Sequence, residues 1–143
     1  MTVKRILSEK GSNVVTISPT TSLADATKLL AERRIGALVV TGANNRVIGI
    51  VSERDIVRTL ASRGAAALGV SLTDVMTRNV VSCESSATVS AIMEQMTAGK
   101  FRHIPVIDGE RLVGIISIGD VVKLRLQEME HEQNALRDYI QTA

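Results

Sequence analysis

Gly49-Ile50-Val51-Ser52-Glu53-Arg54-Asp55-Ile56-Val57 returns later in the chain as Gly114-Ile115-Ile116-Ser117-Ile118-Gly119-Asp120-Val121-Val122, shifted by 65 residues. Five of the nine positions are identical, and Val51/Ile116 and Ile56/Val121 keep their apolar character. Two unrelated apolar strands could share Val and Ile by chance, but not Gly, Ser and Asp at the same offsets. Upstream, Val14-Val15-Thr16-Ile17 returns as Val80-Val81-Ser82-Cys83 at an offset of 66, so one residue is lost in the turn between Val40 and Arg46. Self-similarity of this kind marks a repeated structural unit.

Within each copy the apolar spacing changes in the same order. A short strand opens it (residues 14–17 and 80–83), followed by the polar turn Ser18-Pro19-Thr20-Thr21 or Glu84-Ser85-Ser86-Ala87. Leu23, Ala26 and Leu30 then recur at i, i+3, i+7, and Val89, Ile92, Met93 and Met96 at i, i+3, i+4, i+7, the spacing of one helical face. Both methionines are expected in the core. Ser22 with Asp25 predicts an N-cap, and the helices are expected to end near Gly36 and Gly99. Runs 37–40 and 47–51 flank a turn-rich connection, while runs 104–107 and 112–116 flank Asp108-Gly109, a strong hairpin signal. A second helix starts at each Ser-x-x-Asp, carrying Ile56, Val57 and Leu60, or Val121, Val122, Leu124 and Leu126.

Each copy therefore reads β-α-β-β-α, and the fold class is α/β (α+β) with two pseudo-symmetric repeats. The divisions are 1–64 for the first repeat, 65–79 for a connecting segment, 80–128 for the second repeat and 129–143 for a charged helical tail. A unit of roughly 60 residues buries too little surface to be comfortable alone. One core shared by the pair is the expectation.

Composition narrows the function. The chain has no Trp, one Phe and one Tyr, too few aromatic faces for a base-stacking platform. A net charge of +2, with basic residues dispersed among acids, gives no nucleic-acid footprint. No apolar run approaches the roughly 20 residues of a membrane span, and the start lacks a signal-peptide core. With the lone Cys83, these features point to the cytoplasm. No Ser/His/Asp order, metal-ligand cluster, Walker loop or G-x-G-x-x-G motif is present, so no catalytic residues and no metal site are expected. Cys83 aligns with Ile17 and reads as a core thiol; His103 reads as structural and His131 as solvated.

Ser-x-x-Asp ahead of an apolar helical stripe is a capping signature. The same geometry, free N–H groups and a hydroxyl at a helix N-terminus, also suits phosphate, and its carboxylate can accept bonds from two ribose hydroxyls. The residues alone leave both readings open.

Two β-α-β-β-α units, each ending Gly-h-h-Ser-x-x-Asp (h apolar), resemble the CBS domain pair, or Bateman module, named after cystathionine β-synthase. Val75-Met76-Thr77 and Lys100-Phe101-Arg102-His103-Ile104-Pro105-Val106 add to the resemblance, which covers residues 1–130 and leaves no span for a fused catalytic domain. It implies a stand-alone sensor of cellular energy state that binds AMP, ADP, ATP or NAD(H) between the copies. In similar modules the Asp holds ribose and the Ser lies near ribose or phosphate, which carries over to Ser52, Asp55, Ser117 and Asp120. One site would join Thr16, Ile35, Gly36 and Ala37 to Ser117, Gly119 and Asp120. The other would join Ser82, Phe101, Arg102 and His103 to Ser52, Arg54 and Asp55. Arg54, Arg102 and His103 would make the second richer in phosphate donors; Gly36 and Ala37 leave the first with room and little charge. The resemblance also implies a homodimer through the helices that follow Leu23, Ile56, Val89 and Val121, and a regulated partner protein. An interaction module with empty clefts is the alternative.

Overall fold

The computed structural model describes residues 1–142, so Ala143 of the expected tail lies outside the described residues. A helix that the repeat pattern did not predict, α1 (Val3–Lys10), comes first. The first repeat follows as β1 (Thr16–Ile17), α2 (Leu23–Arg33), β2 (Ala37–Thr41), β3 (Val47–Ser52) and α3 (Glu53–Arg63). After two short 3-10 turns at Gly64–Gly69 and Leu72–Asp74, the second repeat gives α4 (Val89–Gly99), β4 (His103–Asp108), β5 (Arg111–Ser117) and α5 (Ile118–Thr142). The tail is a direct continuation of α5.

Side-chain caps start the first helix of each repeat. Ser22 Oγ accepts the Asp25 N–H at 3.2 Å, and Thr88 Oγ1 accepts the Ala91 N–H at 3.1 Å. Both helices stop on a left-handed residue that is not glycine, Arg34 (φ 55°) and Lys100 (φ 56°). Gly36 and Gly99, expected as the stop signals, serve space instead. A Cβ on Gly36 would stand 3.1 Å from the His103 ring, and one on Gly99 would run into the Phe101 ring.

β1 runs parallel to β2 and β3 antiparallel to it, giving the order β1-β2-β3. β4 and β5 form an equivalent hairpin, with His103 opposite Ser117 just as Ala37 is opposite Ser52. The expected strand at 80–83 is reduced to a single parallel bridge between Cys83 and Val106. Proline is the cause. In the first repeat the Val39 N–H reaches the Val15 carbonyl at 3.3 Å. Pro105 stands at the position matching Val39 and has no N–H to give Val81.

The core is not shared. Leu23, Ala26, Leu30, Leu38, Val40, Val51 and Ile56 pack with Ala67, Leu72 and Met76 from the connecting segment. Val89, Ile92, Met96, Ile104, Val106, Ile116, Val121 and Leu124 pack with Val3 and Ile6 from α1. Each repeat closes its own core by taking an apolar segment from the stretch ahead of the other repeat, which removes the need to merge the two. Met93, expected inside, is 37% exposed, and Val57 on α3 is 67% exposed.

Two matched glycines record how tightly these segments are pressed onto the sheets. A Cβ on Gly49 would meet Met76 Sδ at 2.6 Å, and one on Gly114 would meet Leu7 Cδ2 at 2.5 Å. Gly114→Ala should therefore cost about 1–3 kcal/mol in urea unfolding, and adding Leu7→Ala should recover part of that loss. An unchanged Gly114→Ala protein would show that α1 does not lie against β5.

Candidate functional site

The strand-to-helix turn after β3 and the entrance to β4 face each other across the two repeats. Between them lies a cleft of about 210 Å3. Its walls combine Gly36, Ile50, Ser52, Glu53, Arg54, Asp55 and Arg58 of the first repeat with Lys100, Phe101, Arg102 and His103 of the second, and with Thr77, Asn79, Val80 and Val81 of the chain between. The structure thus brings together six of the seven residues grouped for the second site. Ser82 is apart, in a groove with Cys83, Glu84 and Ala91. Thr77, Asn79, Val80 and Arg58 were not singled out as site residues. The Val75-Met76-Thr77 motif was the signal available for the first of them, because Thr77 pairs by backbone with Ile50 in the cleft wall.

Asp55 is the one buried charged side chain among the described residues, 8% exposed. It completes a capping box: Oδ2 accepts the Ser52 N–H at 2.9 Å, while Ser52 Oγ accepts the Asp55 N–H at 3.4 Å. The two carboxylate oxygens have separate surroundings. Oδ2 is engaged by Ser52, whose hydroxyl also donates to it at 3.1 Å. Oδ1 faces Thr77 Oγ1 at 3.4 Å and Arg58 Nη1 at 3.9 Å, both long contacts. Capping and an acceptor directed at the cleft coexist on one side chain.

The rim crosses between repeats and carries four cations, Arg54, Arg58, Lys100 and Arg102, with the Glu53 carboxylate among them. Arg54 Nη1 donates to the Lys100 carbonyl at 2.9 Å, tying α3 to the end of α4. His103 is half-buried and packed under Gly36. Burial is the main influence on its ring and pulls the pKa below the ordinary 6.5, although Glu53 and Asp120 pull the other way. The ring is neutral at pH 7, able to accept at one nitrogen and donate at the other. Burial, helped by the Asp108 carboxylate, pushes the Cys83 thiol up to about 11, which keeps it protonated at pH 7.

The residues grouped for the first site are dispersed. Thr16 lines a groove with Ser12, Arg46 and Glu110, Ile35 borders a separate surface with Ile56 and Val57, and Gly36 lies between that surface and the cleft described above, which it also lines. Ala37 is buried in the sheet. Gly119 is exposed on the outer side of α5, beside Arg102 and Val122. Ser117 and Asp120 repeat the capping geometry at 2.9 and 3.2 Å, but Lys10 sits on the carboxylate. Its Nζ lies 2.6 Å from Asp120 Oδ2 and 3.0 Å from the Ile115 carbonyl. Where the first repeat sets Thr77 against Ile50 and Asp55, the second sets a lysine against Ile115 and Asp120. The expectation of little positive charge here is therefore corrected, because the cation comes from α1, outside the repeat pattern.

Burial raises the Asp120 pKa, but the Lys10 hydrogen bond and the Ser117 N–H outweigh it, leaving the carboxyl below its ordinary 3.8. A depressed folded-state pKa contributes stability above the unfolded value that is lost as pH falls through the folded one. Lys10→Met should thus lower stability by about 1 kcal/mol at pH 7. The gap from the parent should close as both are acidified below the ordinary carboxylate range. A gap of constant size down to pH 2 in urea unfolding would contradict the ion pair.

Among the described residues, no group of three or more His, Cys, Asp and Glu is placed to hold a metal ion, and no helix is long and apolar enough to cross a membrane. The CBS domain family matches twice, over residues 3–62 and 72–127. A solved CBS-domain containing protein from Agrobacterium tumefaciens is 50% identical, with a TM-score of 0.85 over 87% of this chain and 92% of that one. The CBS domain-containing protein CBSX3 of Arabidopsis thaliana, a mitochondrial protein, is 35% identical over 82% of this chain, which spans 59% of its length. A CBS domain pair solved in complex with 5′-methylthioadenosine and S-adenosyl-L-methionine is 26% identical, with a TM-score of 0.80 over 90% of this chain and 98% of that one. With both repeats matched and their order, hairpins and capping boxes accounted for, the chain belongs to the CBS domain family, as a tandem pair of CBS domains.

Proposed function

We propose that the cleft binds an adenine nucleotide and that the protein is a cytoplasmic regulatory module that carries out no catalysis. The observation that carries this reading is Asp55. Its buried carboxylate keeps one oxygen directed at a cleft whose rim holds Arg54, Arg58, Lys100 and Arg102. A carboxylate acceptor suits two ribose hydroxyls, the Ile50, Val80, Val81 and Phe101 side suits a flat base, and guanidinium donors suit phosphate. The adenosyl ligands of the related CBS pair support the same ligand class.

At about 210 Å3 the cleft is smaller than the ~300–1,000 Å3 of sites that enclose a drug-sized ligand. It matches a nucleoside held inside with its phosphates at the open cationic rim, so AMP is the favoured ligand and ADP, ATP or NAD(H) would extend outward. Lys10 takes up the matching carboxylate on the other side, so one nucleotide binds per chain. Energy sensing follows if occupancy alters the fit of a regulated partner. Two copies pair through the exposed apolar side chains Val57, Met93 and Val122 of α3, α4 and α5.

Calorimetric titration with AMP should give one site per chain, and Asp55→Asn should weaken it ~10- to 150-fold, the worth of one charged hydrogen-bond partner. Asn keeps capping ability, so unfolding stability should fall by less than about 1 kcal/mol. GMP should bind far more weakly than AMP. Parent-like AMP affinity in Asp55→Asn would reduce this aspartate to a cap and remove the proposed site.

A further inference from the structure

α5 is a helix of 25 residues, yet only Val121 and Leu124 on it are buried. From Met129 onward every described residue of the helix is exposed. A second stripe lies apart from the core-facing one: Val122, Leu126, Met129, Gln133, Leu136 and Ile140, spaced 4, 3, 4, 3, 4. At about 100° per residue this stripe is centred roughly 130° around the helix from Val121 and Leu124. Its apolar members are 46–65% exposed. Alternating steps of three and four define a coiled-coil seam, with Leu126, Gln133 and Ile140 at a positions and Val122, Met129 and Leu136 at d.

We infer that this stripe pairs with the same stripe of a second copy as a parallel two-stranded coiled coil. The inference rests on the homodimer reading above and adds its geometry: both tails leave the dimer on the same side. Charge selects the partner. The flanking g and e positions hold Arg125 and Glu132, and Glu130 and Arg137. In a parallel pair Arg125 meets the partner's Glu130, and Glu132 meets the partner's Arg137, so both contacts are attractive. An antiparallel pair over the same stripe sets Glu130 against the partner's Glu130 and Glu132 against the partner's Glu132. Arg125 already bonds Glu128 within the chain at 2.9 Å, and its guanidinium has donors for both carboxylates.

Gln133 points the same way. In the parallel arrangement two a-position amides face each other and exchange a hydrogen bond, which fixes register and favours two strands. In the antiparallel arrangement Gln133 faces the partner's Met129, and a buried amide without a partner is unfavourable. The seam spans only about 28 Å at 1.5 Å per residue. It is too short to hold two free helices together, and it acts here by extending helices already anchored in folded bodies.

The test uses the full chain with Cys83→Ala as background. Leu136→Cys, on the seam, should form a disulfide-linked dimer under mild oxidation at least ~10-fold faster than Asp138→Cys on the opposite face. Sedimentation of the background protein should give a dimer. A monomer would overturn the homodimer reading and this inference with it. A dimer in which the two cysteines link at equal rates would overturn the seam alone. A mixture of Leu126→Cys and Leu136→Cys chains that links faster than either alone would show antiparallel helices, and would also overturn it.

Discussion

A sheet of two or three short strands with two helices on it leaves apolar surface that the repeat cannot cover. Here that constraint is met by chain from outside the repeat: α1 lies over the second sheet, and the 65–79 segment over the first. Everything that distinguishes the two halves follows from which segment arrives. The connecting segment is irregular, pairs by backbone with Ile50, and brings Thr77 to Asp55. α1 is helical, spends its free backbone N–H groups at Val3 and Lys4 on the Ala87 and Ser85 carbonyls, and presents only a side chain at its end, Lys10, to Ile115 and Asp120. Near-identical Ser-x-x-Asp turns therefore carry different partners. The symmetry of the repeat is broken by its lids.

What could be read in advance divides along the same line. Strand, hairpin and helix order within each copy was legible because apolar period and turn residues are local signals. Clustering of Ser52, Arg54 and Asp55 with Phe101, Arg102 and His103 was legible through the resemblance to CBS pairs, which sets the turn of one copy against the other and which the repeat itself does not show. α1 was not, since it stands outside the repeat, and with it went Lys10, the closure of the second core and the filling of the second carboxylate. The roles of Gly36 and Gly99 were misjudged for a different reason. Local rules give glycine after a helix the left-handed position, whereas here Arg34 and Lys100 take that conformation and the glycines make way for His103 and Phe101. Tertiary crowding is not visible from sequence neighbours.

Capping and ligand binding are usually weighed as rivals at a Ser-x-x-Asp turn. At Asp55 the cap occupies one oxygen of the carboxylate and leaves the other, which the proposed function gives to the ligand, aimed past Thr77 into the cleft. The hydrogen bonds from Ser52 fix the side-chain rotamer within the fold itself, so the entropy of orienting that acceptor is already spent in folding. Holding the acceptor in place and holding the helix in place are one requirement.

Pro105 has a consequence of a different kind. By denying Val81 the N–H that Val39 gives Val15, it removes the one bond that would bring Ser82 into the ladder as Thr16 is, so the chain from Asn79 runs unpaired until Cys83 meets Val106. Asn79, Val80 and Val81 of that stretch supply one wall of the cleft, while the opposite wall is anchored in β3 and α3. One wall is thus held by ladder and helix hydrogen bonds, and the other is a length of backbone whose internal bond is the Val80 N–H to the Arg78 carbonyl at 3.0 Å. Backbone with so few partners opens at a lower free energy than a paired strand, so local opening at this wall is expected to precede the opening of either core.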